Sequence, residues 1–103
     1  MTRFGDMHEL KAEVVEWADQ IAPNRKPQDT VCKLVSEASE LLDAVLNKNK
    51  EEVAGEIGDV IILLADLGDM YGIDIINAGL SKMVVNRARK WTTEDGILRR
   101  VRE

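Results

Sequence analysis

The 103-residue sequence contains one cysteine, one tyrosine, one phenylalanine and two prolines, and it has no long apolar run. A single cysteine, Cys32, cannot form an internal disulfide, which favours a reducing, cytoplasmic location. The longest apolar run is far shorter than the roughly 18 residues of a membrane span, and the N-terminus lacks the apolar segment of a signal peptide. We therefore expect no membrane partner.

Positive charge is scarce over most of the chain. The net charge is −5, which disfavours a general nucleic-acid binder because such proteins depend on a positive field. Seven of the 14 lysines and arginines lie between Lys82 and the C-terminus, where only three acids occur. A basic tail on an acidic body suits an anionic small molecule that contacts both.

Strand-like alternation is nearly absent before the tail, and apolar residues recur at helical spacing, which predicts an all-α fold. Short connections favour a four-helix bundle with antiparallel neighbours. An Asp-Gly pair in the tail predicts a small C-terminal β-hairpin. We expect a single domain, residues 1–103, with a helical body at about 6–90 and a basic tail at 91–103. The helices are predicted at about 6–22, 29–46, 49–71 and 74–90. Asn49 and Asp74 are predicted to cap the third and fourth helices, and Gly72 is predicted to stop the third.

Burial follows from the apolar stripes of these helices. Trp17 is predicted to pack in the core, and Cys32 is predicted to be a buried structural thiol. The second helix is expected to bury most of its large apolar side chains, namely Val31, Leu34, Val35, Leu41, Leu42 and Val45. The third helix is apolar on nearly all sides, so we expect a homo-oligomer, a dimer or alternatively a tetramer, with this helix near the interface.

Two pairs of acids lie at the edges of the apolar stripes. On each helix the two carboxylates are three residues apart, so they project in nearly the same direction. Gly55 and Gly58 flank one pair, which suggests close approach of another backbone or of a ligand. The pairs are Glu37 with Glu40 and Glu56 with Asp59.

These acids have two interpretations. Glutamates at such spacing commonly form a solvated face with lysine partners, and this alternative stays open for Glu37 and Glu40. Glu56 and Asp59 lie among isoleucines and leucines, which favours a ligand. If the two helices are antiparallel neighbours, the four carboxylates converge and would repel unless a hard divalent cation, Mg²⁺ or Mn²⁺, binds between them.

Other catalytic motifs are missing. The sequence has no phosphate loop, nucleophile elbow or GxGxxG. His8 is the single histidine and is not part of a Glu-x-x-His element, which disfavours di-iron chemistry. Trp91 has two open interpretations, because it can cover a nucleotide base or cap the bundle.

The segments KLVSEASELLDAV, residues 33–45, and EEVAGEIGDVIILLADLGDMYGID resemble the MazG-like, all-α nucleoside triphosphate pyrophosphohydrolases. That family carries a Glu-Glu-x-x-Glu element and a later Glu-x-x-Asp element on consecutive helices. The resemblance covers about residues 14–89 and departs from the family at Ser36, which replaces the first glutamate. A serine can hold a water molecule but cannot act as a carboxylate base.

The resemblance implies a role for each matching residue. The acids expected to bind Mg²⁺ and support catalysis are Glu37, Glu40, Glu56 and Asp59. The residues expected to bind the phosphates of the substrate are Lys82, Asn86 and Arg89, with Lys33 as a further candidate.

The implied reaction is Mg²⁺-dependent cleavage of a nucleoside triphosphate to the monophosphate and pyrophosphate. One alternative is a catalytically weak protein of the same fold that binds nucleotides or a protein partner, because Ser36 departs from the motif. Another is a phosphoribosyl-ATP pyrophosphohydrolase, which has a related fold.

Overall fold

A computed structural model describes residues 5–102. Four helices are followed by one antiparallel hairpin, which confirms the predicted all-α fold and the C-terminal hairpin. The predicted tail is described as far as Arg102; residues 1–4 and 103 lie outside the described residues. The elements are α1 (Met7–Ile21), α2 (Pro27–Leu46), α3 (Lys50–Tyr71), α4 (Ile75–Arg87), β1 (Trp91–Glu94) and β2 (Ile97–Arg100).

Local side-chain hydrogen bonds explain where the helices begin. Asn49 Oδ1 accepts from the Glu52 N–H at 3.1 Å, and Asp74 Oδ1 accepts from the Ile76 and Asn77 N–H groups at 3.0 Å. Each bond satisfies a first-turn N–H that lacks a helical partner. Both predicted caps are confirmed. Helix α2 begins at Pro27, two residues before the predicted start, since proline suits the first helical position.

The end of α3 depends on Gly72, whose φ of 63° lies in the left-handed region. The N–H of Ile73 then donates to the Gly68 carbonyl at 2.8 Å, which closes the last turn. The predicted stop at Gly72 is confirmed. Helix α4 ends at Arg87, about three residues earlier than predicted, so Arg89 lies in the bend that follows it.

The chain divides into two compact units, the first ending at Ile73 and the second beginning at Asp74. In the first unit α2 packs along α3, and α1 packs on α3. Thr30, near the start of α2, contacts Asp66 in the second half of α3, whereas Glu37 lies beside Glu56 in its first half. Helices α2 and α3 are therefore antiparallel, as predicted.

The core of this unit consists of small side chains. The buried apolar residues are Val14, Ala18, Ala44 and Ala65. Alanine at a helix contact lets two backbones approach closely, so the packing of α2 on α3 does not require large side chains between them. Among the described residues, no large side chain is fully buried.

Several burial predictions are wrong for the single chain. Trp17 is 59% exposed, and Cys32 is exposed rather than buried. In α3 the buried residues are Ala65, Asp66 and Gly68, so the single chain does not cover this helix on all sides. Three helices cannot cover every apolar face of one another. The large side chains of α2 that were predicted to be buried but are exposed are Val31, Val35, Leu42 and Val45.

The second unit contains α4 and the hairpin. Trp91 pairs with Arg100 and Glu94 with Ile97, and Asp95 and Gly96 form the turn with φ of 52° and 79°. Positive φ at both turn residues is the pattern of the two-residue hairpin turn, so the Asp-Gly signal identified it correctly. No helix within residues 5–102 is long and apolar enough to cross a membrane.

Candidate metal centre

Three of the predicted acids meet at the α2–α3 contact. Glu37, Glu56 and Asp59 each offer a carboxylate oxygen, and the three oxygens lie within 4.8 Å of one another. Glu56 and Asp59 are three residues apart on α3 and therefore project from one side of the helix, while Glu37 comes from the antiparallel helix. Oxygen atoms at these separations can bind one divalent cation together.

The burial of the cluster favours a cation. Glu37 is 5% exposed, and the Oε2 atoms of Glu37 and Glu56 are buried without a hydrogen-bond partner. A buried carboxylate oxygen without a partner is costly, because it has lost water and gained nothing in exchange. A hard cation satisfies such oxygens directly. The donor set therefore fits Mg²⁺ or Mn²⁺, which favour carboxylate oxygens.

Lys33 neutralises part of this charge. Its Nζ lies 2.9 Å from Glu37 Oε1, one helical turn along α2. This contact, followed by contacts with Glu56 and Glu40, holds the pKa of the Glu37 carboxyl below its usual range. The same ion pair raises the pKa of the Lys33 ammonium. Glu37 is thus ionised and oriented at neutral pH.

The pKa values of the neighbouring Glu56 and Glu40 are raised, opposite to that of Glu37. Contact with Glu37, partial burial and the charges of Glu40 and Asp59 raise the pKa of Glu56 to about 7. A hydrogen bond with Glu37, followed by the charge of Glu37, also raises the pKa of Glu40. Without a cation, these carboxylates hold protons more tightly than ordinary glutamates do, since a second negative charge beside Glu37 is disfavoured.

Glu40 and Ser36 lie outside the group of three. Both side chains are exposed on α2. Glu40 is close enough to Glu37 to affect its pKa, so it lies at the edge of the cluster. The exposed hydroxyl of Ser36 adds no charge to the cluster.

The predicted phosphate ligands belong to different parts of the chain. Lys33 is in the first unit and is bonded to Glu37. Lys82 and Asn86 lie on α4, and Arg89 lies just after it, all in the second unit. Asn86 and Arg89 line one cavity with Trp91, and Lys82 is not among the residues that line that cavity.

Sequence reasoning missed a second charged cluster in the first unit. Asp66 is 4% exposed, and the Arg25 guanidinium donates to both of its carboxylate oxygens, at 2.8 and 2.5 Å. Arg25 also donates to Asp19 at 2.8 Å, and Thr30 Oγ1 lies 3.5 Å from Asp66. Through Asp19, Thr30 and Asp66 this cluster joins the three helices of the first unit.

The buried contact between Thr30 and Asp66 supports the packing of α2 on α3, which also brings the acids together. Thr30 is seven residues before Glu37, and Asp66 is seven residues after Asp59. Seven residues are about two helical turns, so each pair shares a helix face. The available signal was Asp66 itself, a carboxylate between Ala65 and Leu67 in an apolar helix. Its partner was hidden because Arg25 is 41 residues away in sequence.

The glycines beside the acids have open surroundings. A Cβ added at Gly55 or Gly58 meets nothing within 4 Å. Among residues 5–102, no other backbone approaches either glycine. A ligand or a second subunit stays the prediction for these two positions.

Four helices with a carboxylate cluster of this kind define an all-α protein that can bind metal through oxygen ligands. The MazG-like family matches residues 31–99, and the chain belongs to this family. The predicted family resemblance is confirmed, and with it the class of enzyme, a nucleotide pyrophosphohydrolase.

Two curated relatives carry the name dATP/dGTP diphosphohydrolase. The protein of Cyanophage S-2L is 37% identical over 94 residues, which are 90% of this chain and 86% of that protein. The protein of Salmonella phage PMBT28 is 37% identical over 93 residues, which are 89% of this chain but 30% of that longer protein.

Two solved structures share the fold. The Cyanophage S-2L MazG-like pyrophosphohydrolase, bound to dGDP and three catalytic Mn²⁺ ions per active site, superposes with a TM-score of 0.79 at 33% identity. That match covers 96% of this chain and all of the other. The Bacillus-conserved MazG protein, a nucleotide pyrophosphohydrolase, gives a TM-score of 0.68 at 20% identity, covering 93% of this chain and all of the other. The second likeness concerns the fold alone.

Proposed function

We propose that this protein is a Mg²⁺-dependent nucleoside triphosphate pyrophosphohydrolase that converts NTP or dNTP to the monophosphate and pyrophosphate. The observation that carries the proposal is the meeting of Glu37, Glu56 and Asp59 within 4.8 Å, with two buried oxygens lacking partners. The names of the phage relatives support dATP and dGTP as substrates. The Mn²⁺ ions in one relative support a divalent cation, for which Mn²⁺ is an alternative to Mg²⁺.

Each residue of the cluster has a proposed role. Glu37, Glu56 and Asp59 hold the metal, and Glu40 completes the set at its edge. When bound, a divalent cation neutralises the triphosphate and lowers the pKa of a water molecule. Lys33 keeps Glu37 ionised and oriented. Because its side chain is 61% exposed, the remaining N–H donors of Lys33 can also contact a phosphate.

The proposed reaction is a hydrolysis. The oxygen of water forms a bond to the α-phosphorus, and the bond from that phosphorus to the α,β-bridging oxygen breaks. The electron pair of the broken bond leaves with pyrophosphate, and the water gives up a proton. Ser36 can orient the water by a hydrogen bond, whereas the proton must pass to a carboxylate or to solvent. Lys82, Asn86 and Arg89 are proposed to stabilise the phosphate charge.

Incubation with Mg²⁺ or Mn²⁺ and a panel of canonical and modified triphosphates tests this proposal. We expect pyrophosphate release from dATP and dGTP, and loss of release in Glu56→Ala. Glu51→Ala is the matched control, because Glu51 is an exposed acid in the first turn of the same helix. Tight nucleotide binding without turnover would instead favour the catalytically weak alternative.

We also propose that the protein is a homo-oligomer, with a dimer expected and a tetramer as the alternative. Large apolar side chains are exposed on α1, α2 and α3, and extensive exposed apolar surface commonly marks an interface. They include Trp17, Ile21, Val35 and Leu42. Light scattering over a range of concentrations checks this, and a monomer at every concentration would contradict it.

The expected cytoplasmic location likewise stays a prediction.

A further inference from the structure

A cavity of about 410 Å³ lies between the end of α4 and the hairpin. Its volume falls within the range of roughly 300–1,000 Å³ that small-molecule sites occupy. It combines three apolar or aromatic side chains with an amide and two guanidinium groups. The lining residues are Met83, Asn86, Arg87, Arg89, Trp91 and Leu98.

Trp91 has a defined orientation in this cavity. Its indole Nε1 donates to the Asn86 carbonyl at 2.7 Å, which ties the first residue of β1 to the last turn of α4. The residue nevertheless stays 41% exposed. An accessible indole held by its polar edge offers a flat surface on which a nucleotide base can stack.

A second cavity, of about 280 Å³, adjoins the first through Arg89, which lines both. Its other lining residues are Ala88, Lys90, Arg100 and Val101. The two cavities are therefore lined by four cationic side chains and by no acidic one. Guanidinium groups bind phosphate oxygens through paired hydrogen bonds, so this composition favours a phosphorylated ligand.

We propose that the second compact unit carries a nucleotide-binding site, in which a purine base stacks on Trp91 and the phosphates contact Arg89 and Arg100. The cavity that holds the indole and the cavity that holds Arg100 share Arg89, so a base on the indole and phosphates on the arginines would be neighbours. The purine nucleotide is chosen because of the proposed function, on which this inference rests. Binding at this site does not require the acids of the first unit.

Fluorescence tests the proposal directly, because the chain has two tryptophans and Trp17→Phe leaves Trp91 as the sole indole. The full-length variant is titrated with dATP in EDTA, which removes metal from the acid cluster. We expect a saturable change in Trp91 emission with dATP and dGTP. Inorganic tripolyphosphate has no base to stack on the indole. It should therefore compete with dATP for binding but leave the Trp91 emission largely unchanged.

Affinity measurements divide the site into its two parts. Trp91→Leu should raise the dATP dissociation constant at least about fivefold, the lower end of what removal of a stacking aromatic costs, and Trp91→Phe should restore most of the affinity. Arg100→Gln should weaken binding of dATP and tripolyphosphate alike. Arg102→Gln is the matched control, because Arg102 lines neither cavity.

Two results would overturn the proposal. One is an unchanged Trp91 emission at millimolar dATP, together with equal dATP affinities for the wild type and Trp91→Leu. The other is an emission change that depends on protein concentration alone, since a second copy of the chain would then occupy the cavity.

Pyrophosphate release is measured in parallel. Release without Trp91 quenching leaves the proposed function intact, whereas quenching without release refutes the proposed function and not this site.

Discussion

In the first compact unit, Glu37 and Asp66 are buried charges with defined partners, whereas no residue between 74 and 102 is buried at all. The acids of the first unit are fixed by helix packing and by single contacts such as Lys33 with Glu37. Except for the half-buried Arg89, the cations of the second unit are exposed. Metal coordination requires carboxylates within a few ångströms of one another, while phosphates can be bound by several alternative cations.

Removing one buried acid should have the largest effect on function. We expect Glu37→Gln to reduce pyrophosphate release and Mn²⁺ affinity by at least about 100-fold, because loss of even an outer-shell partner costs 10- to 100-fold. Pyrophosphate detection and calorimetric Mn²⁺ titration measure the two effects.

Arg99→Gln in the exposed second unit provides the contrast, since this arginine lines neither cavity there. Its loss should change release by less than about threefold, within the range of an exposed charge. Equal losses in the two variants would show that the units do not differ in how strictly they position charge.

Breaking the buried ion pair should have the largest effect on stability. Arg25→Met leaves Asp66 buried and unpaired, which costs about 3–5 kcal/mol of unfolding free energy. For a domain of this size that corresponds to a fall in Tm of more than about 10 °C. Differential scanning calorimetry measures it.

The double variant Arg25→Met/Asp66→Leu removes both charges and should regain most of the lost stability. Arg102→Met, in the exposed second unit, should shift the free energy by no more than about 0.5 kcal/mol. If the double variant is as unstable as Arg25→Met, the ion pair must stabilise the fold by more than the neutralisation of two buried charges.

The raised pKa of Glu56 predicts that the stability of the first compact unit depends on pH. With a folded pKa of about 7 against an ordinary value of 4.5, the folded protein holds a proton that the unfolded chain has lost between these pH values. This stabilisation is full below pH 4.5 and is lost as the pH rises through 7. We therefore expect metal-free Glu56→Gln to melt at about the same temperature as wild type at pH 5, but above it at pH 8.

Mn²⁺ should reverse that order, because the cation binds the ionised Glu56 and stabilises the wild type. Melting curves at pH 5 and 8, with EDTA and with Mn²⁺, measure both effects. Glu51→Gln serves as the control. A pH-independent difference between wild type and Glu56→Gln would exclude the raised pKa.

The smallest expected effect concerns the open surface beside the acids. Gly55→Ala should stabilise the metal-free protein by about 0.5–1 kcal/mol, since alanine is the better helix former and nothing obstructs its Cβ. Chemical denaturation measures the gain. A stabilised variant with reduced turnover would indicate that a substrate or a second subunit closes over Gly55.

Local features of the fold were predictable from sequence because they depend on neighbouring residues. The caps at Asn49 and Asp74, the stop at Gly72 and the Asp-Gly turn each involve atoms within a few positions. The convergence of Glu37 with Glu56 and Asp59 was also predictable, because spacing on two antiparallel helices specifies it.

Burial was less predictable because it depends on how many elements cover a face. Trp17 and Cys32 have the sequence context of core residues, yet three helices leave both exposed in one chain. The Arg25–Asp66 pair was missed for a different reason. It joins a loop to a helix 41 residues later, and no periodicity links the two positions.

The alanine-based core gives the first unit an unusual mutational profile. Ala18, Ala44 and Ala65 are already near the smallest side chain, so truncation at these positions removes little. Enlargement would force the helices apart and displace the carboxylates that meet across α2 and α3. In a saturation mutagenesis experiment, the sites least tolerant of change should therefore include the smallest residues of the chain, while the large and exposed Trp17 should accept many replacements.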